Sequence, residues 1–127
     1  MAQTAVQAIC VFLGAGAGAL LRWRLGVWLA AWYPAFPLGT HAANLIGCFL
    51  IGIAAGCFEI RPGISPEARL LITTGFLGGF TTFSAFSLEL AQLFSQRSIL
   101  AAALVVAKVS ACVLLTFAGM ALARRLA

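Results

Sequence analysis

Four runs with almost no charge, each close to the length that crosses a bilayer, constrain this chain more than any other feature. They occupy positions 5–21, 41–58, 70–88 and 99–123; the first three hold no Lys, Arg, Asp or Glu, and the last only Lys108. Roughly 20 apolar residues cross a hydrocarbon core as a helix, because in lipid every backbone N–H and C=O must find a partner within the segment. Only 9% of the 127 residues are charged and 63% are hydrophobic, too little charge to cover a water-soluble domain of this length. The expected fold is an all-α membrane protein, a single transmembrane domain over 1–127. Its helices are expected at approximately 5–29, 40–59, 67–94 and 98–123 in a lipid bilayer.

The remaining composition removes several function classes. MAQT carries no base and Arg22 and Arg24 follow the first run, so that run is expected to be retained as a span, not cleaved as a signal. Cys10, Cys48, Cys57 and Cys112 all lie inside apolar runs without a C-x-x-C pair, which reads as small buried hydrophobes and not as a metal or disulfide framework. The net charge is +5, but the eight bases are scattered without a cluster, so no nucleic-acid partner is expected. One His, three acids and no nucleophile–base spacing argue against an enzyme.

Linkers are short. AWYPAFPLG (31–39) has Pro34 and Pro37 to stop helices, and Trp32 and Tyr33 to sit at the interface; EIRPGISPEAR (59–69) carries Pro62, Gly63 and Pro66; SQRS (95–98) joins the last two spans. Small residues recur as Gly14, Gly16 and Gly18, as Gly52 and Gly56, and as Gly75 and Gly79; each set holds a G-x-x-x-G spacing, which brings membrane helices into close approach. With four spans, one side carries Arg61, Arg69, Arg124 and Arg125 and the other Arg22, Arg24 and Arg97. Four bases against three barely select an orientation under the positive-inside rule, so insertion both ways and antiparallel pairing with a second copy is expected.

The third span reads GFLGGFTTFSAF over 75–86. Three glycines and two threonines weaken a helix where non-helical backbone is tolerated only if it is buried in protein or lines a polar cavity. Two readings stay open on residues alone: a break whose freed carbonyls hold a small cation, or a packing kink whose threonine hydroxyls bond back to preceding carbonyls. Phe83 and Phe86 lie three apart on one helical face with Ser84 and Ser87 beside them, either as core or as electropositive ring edges facing an anion. Asn44, with Thr40 one turn earlier, is a costly amide in an apolar span; it serves as interhelical glue or donates N–H to an anion. Arg22 either snorkels or places positive charge at a pore mouth. Lys108 forms an i, i+4, i+8 stripe with Cys112 and Thr116, and Glu89 is the intramembrane acid available to pair with a base.

Taken together, GALLR (18–22), PLGTHAAN (37–44) and GFLGGFTTFSAF (75–86) in four short spans resemble the CrcB or Fluc family of fluoride channels, across nearly the whole chain. The resemblance implies a passive fluoride channel that relieves fluoride toxicity from the cytoplasmic membrane, built as a dual-topology antiparallel homodimer with two pores and a broken third helix. It also implies a structural sodium ion held by the backbone carbonyls of Gly78 and Thr81. The fluoride path would take ring edges from Phe83 and Phe86, polar groups from Asn44, Ser84 and Thr40, and Arg22 toward the vestibule. Two features depart from the pattern the resemblance implies: Ala85 replaces a hydroxyl in TTFSTF, and helix four presents Lys108 and Cys112 where serines are usual, with Ser110 nearby. The alternatives are a small four-span multidrug-type exporter, which relies on a first-helix carboxylate that run 5–21 lacks, and a non-transporting membrane assembly subunit.

Overall fold

The computed structural model describes residues 1–32, 34 and 38–126. Tyr33 and Pro37, assigned above to the interface and to a helix stop, lie outside the described residues. Helix α1 covers Ala2–Trp32 and α2 covers Leu38–Ile60. Helix α3 covers Pro66–Leu70 and runs into a π-helical segment, Leu71–Leu77, then α4, Gly78–Phe80; α5 is Phe83–Phe94 and α6 is Ser98–Arg125. Four segments are long and apolar enough to cross a membrane: Ala2–Trp32, Leu38–Ile60, Pro66–Phe94 and Ser98–Arg125. Helix α1 does not stop at its bases but continues through Arg22 and Arg24 to Trp32.

Local chemistry explains the entry to the third span. Ser65 caps α3, its hydroxyl accepting from Ala68 N at 3.2 Å, with Pro66 at the first helical position and Glu67 in the first turn. Arg69 then ties the 59–65 turn down: it donates to Phe58 O at 3.2 Å and Ile64 O at 3.3 Å, and its guanidinium lies 4.9 Å from the Phe58 ring centroid. In the wide-turned segment, Gly78 N reaches back to Thr73 O, five residues earlier, the i→i+5 pattern of a π-helix. Past α4 the backbone leaves helical geometry for two residues, Thr81 at φ −92°, ψ 157° and Thr82 at φ −152°, ψ 119°.

The spans pack in two tight seams, α2 against α6 and α1 against the Leu71–Phe80 stretch. Both rest on glycine. A methyl at Gly18 would strike Phe76 O, and one at Gly52 would strike Thr116 O. Gly16, two residues from Gly18 in the same small-residue cluster, faces open space with nothing within 4 Å. Of that cluster's three glycines, Gly14 and Gly18 are therefore the packing motif. Overpacking a close-packed interior costs about 1–3 kcal/mol, and backbone cannot move aside as a side chain can. Gly52→Ala is expected to lose at least that much in chemical denaturation followed by tryptophan fluorescence. Gly16→Ala should stay within about 0.5 kcal/mol of the parent, as surface changes do.

At one end of the bundle Arg124 bonds Glu59 through two nitrogens, at 2.8 and 3.2 Å. Both side chains are more than half exposed, so this pair contributes little to stability.

Candidate functional site

The α2 amide organises the centre of the molecule. Asn44 is 8% exposed. Its Nδ2 donates to Thr82 O at 2.9 Å, and its Oδ1 accepts from Thr82 N at 2.8 Å. This reciprocal pair also settles which end of the amide is oxygen, since each atom meets a partner of the opposite kind. In an uninterrupted helix Thr82 N would donate to Gly78 O, four residues back. Here Asn44 takes that donor.

The neighbouring threonines divide their work. Thr81 Oγ1 bonds back to Leu77 O at 2.8 Å, and Thr81 N also donates to Leu77 O, at 3.0 Å. Thr82 Oγ1 instead caps α5, accepting from Ala85 N at 3.3 Å, and lies 3.1 Å from Ser84 Oγ. Ala85 N would otherwise donate to Thr81 O. On the α1 side, Arg22 Nε donates to Gly79 O at 3.2 Å, whose ordinary helical donor would be Phe83 N. Three backbone turns between Gly78 and Ala85 are thus re-partnered, two of them by side chains of other helices.

Beside this stretch opens a groove of about 410 Å³, lined among others by Asn44, Gly78, Thr81, Phe83, Phe86 and Lys108. Phe83 is 77% exposed and Phe86 only 4%. Their rings meet edge-to-face, centroids 6.0 Å apart at 70°. Of the residues singled out from sequence, the groove gathers Asn44, Phe83, Phe86, Gly78 and Thr81. Among the described lining residues Thr40, Ser84 and Arg22 do not occur: Thr40 lies half-buried one turn before Asn44, and Ser84 is exposed beside Thr82. Arg22, half-buried, is tied to Gly79 O ten residues before the end of α1.

Helix α6 contributes Lys108 and Cys112 to the groove, while Ser110 is exposed and not among the described lining residues. Thr116, the third member of that stripe, bridges helices: its hydroxyl lies 3.1 Å from Cys48 O on α2 and 3.0 Å from Cys112 O. The residue that sequence reasoning passed over is His41. Lys108 Nζ lies 2.6 Å from His41 Nδ1, and His41 Nε2 lies 3.7 Å from Glu89 Oε2. Its signal was present, as the chain's one histidine three residues before Asn44 in an apolar span. Nothing in the linear order ties position 41 to position 108.

Four apolar spans around a groove of amide, hydroxyl, backbone and aromatic groups define a multi-pass membrane protein with a polar site at mid-span. Comparison with known proteins then places it. The family described as "CrcB-like protein, Camphor Resistance (CrcB)" matches residues 9–120, and the chain belongs to that family. Among curated relatives, the fluoride-specific ion channel FluC of Chromobacterium violaceum is 48% identical over 114 residues, covering 89% of this chain and 90% of that one. The protein of the same name from Burkholderia cenocepacia is 58% identical over 81 residues, 64% of this chain. That of Burkholderia vietnamiensis is 59% identical over 81 residues. In these Burkholderia matches the chain spans 63% of the relative's length.

Proposed function

We propose that this protein is a passive, fluoride-selective channel of the cytoplasmic membrane that lets cytoplasmic fluoride leave and so reduces its toxicity. The observation that carries this reading is the Phe83–Phe86 pair, one ring open to the groove and one buried beneath it, beside two residues of non-helical backbone. Family membership and the names of the relatives support it. Fluoride holds its water tightly, so a pore must substitute donors of comparable strength without binding the ion too firmly to release it. Ring edges offer weak positive potential. Ser84, Thr40 and the N–H of Asn44 not spent on Thr82 are the hydroxyl and amide donors near the path, and Arg22 contributes positive charge without direct contact.

The working unit is an antiparallel homodimer. Phe83 presents a largely exposed aromatic ring on the open groove, and a second copy inverted against this face would cover it and complete two paths by symmetry. The non-helical backbone between α4 and α5 would then hold a structural sodium ion through the carbonyls of Gly78 and Thr81. Gly78 O and Thr81 O have each lost the N–H that a continuous helix would supply, to Asn44 Oδ1 and Thr82 Oγ1 respectively. These are hard, neutral oxygens of the kind a small cation prefers, and the two carbonyls from each of two chains provide four. When bound, sodium would supply positive charge to these carbonyl oxygens and hold the two chains in register; the ion is not transported.

The test is fluoride efflux from liposomes holding the purified protein, read with a fluoride electrode. Rapid fluoride release with negligible chloride release is expected. A multidrug-type exporter or an assembly subunit would release no fluoride. Exchange of all sodium for a bulky organic cation should lower the fluoride flux by about tenfold or more, and unchanged flux would show that the carbonyl cluster needs no ion. An effect of that size corresponds to only ~1.4 kcal/mol of differential binding.

A further inference from the structure

Three elements meet at one ammonium. Lys108 on α6 places Nζ 2.6 Å from His41 Nδ1 on α2 and 3.9 Å from the centroid of the Phe86 ring on α5. A ring nitrogen that accepts from an ammonium carries no proton itself, so the His41 proton sits on Nε2. That nitrogen lies 3.7 Å from Glu89 Oε2, which is buried and has no closer hydrogen-bond partner among the described residues. Lys108, His41 and Glu89 therefore run in order as cation, neutral dipole and anion. Their charges balance, which is what makes an ammonium tolerable at this depth.

The position of Lys108 relative to Phe86 gives that charge a use. An aromatic ring is negative on its face and positive at its edge. A cation seated over the face draws π density toward itself and leaves the edge hydrogens more positive than in an isolated ring. Phe86 is held in this posture on several sides: Lys108 over the ring, Phe83 edge-to-face at 6.0 Å, and the His41 imidazole edge-to-face at 6.2 Å.

We infer that Lys108 is a positioning residue for anion recognition, strengthening the hold of the Phe86 ring edge on fluoride by occupying the ring face. The inference rests on the fluoride-channel reading above and deepens it. His41 fixes the ammonium over the ring, and Glu89 keeps the assembly from becoming a deep anion trap.

Fluoride binding to purified protein, followed by ¹⁹F NMR, tests this even in variants that no longer conduct. Lys108→Met keeps the length and loses the charge, and should weaken fluoride binding about tenfold (~1.4 kcal/mol). Lys108→Arg, which keeps the charge and also stacks on aromatic faces, should restore binding to within about twofold. Glu89→Gln leaves the ammonium uncompensated and should tighten binding, the opposite sign from Lys108→Met, whereas general damage to the fold would weaken both. In a Phe86→Ile background, which removes the ring, Lys108→Met should have almost no further effect. The inference is overturned by unchanged binding in Lys108→Met, by shifts of the same sign in Lys108→Met and Glu89→Gln, or by an undiminished tenfold loss without the ring. Wild-type protein that passes no fluoride in liposomes would overturn the channel reading itself, and this inference with it; wild-type flux with any of those three binding results overturns the inference alone.

Discussion

Asn44→Leu is expected to abolish fluoride flux in a protein that still inserts as four helices. The leucine is close in volume and suits the apolar span, so the cost falls on Thr82. Its N–H and C=O each lose a partner at 2.8 and 2.9 Å. A buried polar group left unpaired costs about 1–3 kcal/mol. The chain has a cheaper alternative, because Gly78 O lies four residues back and can take the Thr82 N–H in an ordinary helical turn. Two groups at that cost shift the balance between extended and helical backbone by roughly two orders of magnitude or more. Closing the turn withdraws Gly78 O from the proposed sodium site and re-aims Phe83 and Phe86, which follow directly on the same helix. Flux and sodium dependence should disappear together. Asn44→Asp weighs the two contacts separately: its carboxylate still accepts from Thr82 N and keeps that N–H from Gly78 O, so sodium dependence should persist, while the lost donor to Thr82 O and the negative charge beside the groove keep flux low. Asn44→Leu protein with undiminished fluoride efflux would mean that the extended geometry at Thr82 is irrelevant to permeation.

The second large effect concerns orientation. Adding two or three lysines to the 95–98 turn should remove fluoride resistance from cells that depend on this protein, although each chain still folds. The argument is a near-tie in charge. The bases on the two sides number four against three. The positive-inside rule acts through this difference, counted over short loops, so a few added charges on the poorer side overwhelm it. A population with one orientation cannot assemble antiparallel pairs. Coexpression with an oppositely biased chain, carrying extra lysines at 59–69, should restore resistance by supplying the missing orientation. Full resistance from the single-orientation variant alone would rule out antiparallel pairing as the working state.

The membrane class and the four spans were legible from sequence because hydrophobicity is local and additive. A run such as 41–58 needs no knowledge of its neighbours to be too apolar for water. The stretch that carries the site was legible for a related reason: glycine and threonine at 75–82 make the helix's own hydrogen bonds cheap to lose, and that cost is also local. What those positions do was not. Thr81 and Thr82 are adjacent and chemically identical, yet one hydroxyl bonds back to Leu77 and the other caps α5. Asn44, 38 positions away in the chain, separates their roles by taking the Thr82 amide. Of the small-residue cluster on α1, a methyl at Gly18 would strike Phe76 O and one at Gly16 would meet nothing within 4 Å, which depends on where another helix lies and not on spacing. The same holds for Lys108. An isolated base in an apolar helix announces that a partner must exist, but only the packing of α2, α5 and α6 supplies His41, Glu89 and the face of Phe86. Burial and helix formation are properties of a segment, so the sequence determines them; a hydrogen bond or a cation over a ring is a property of two segments brought to within 4 Å, and only the tertiary structure chooses that pair.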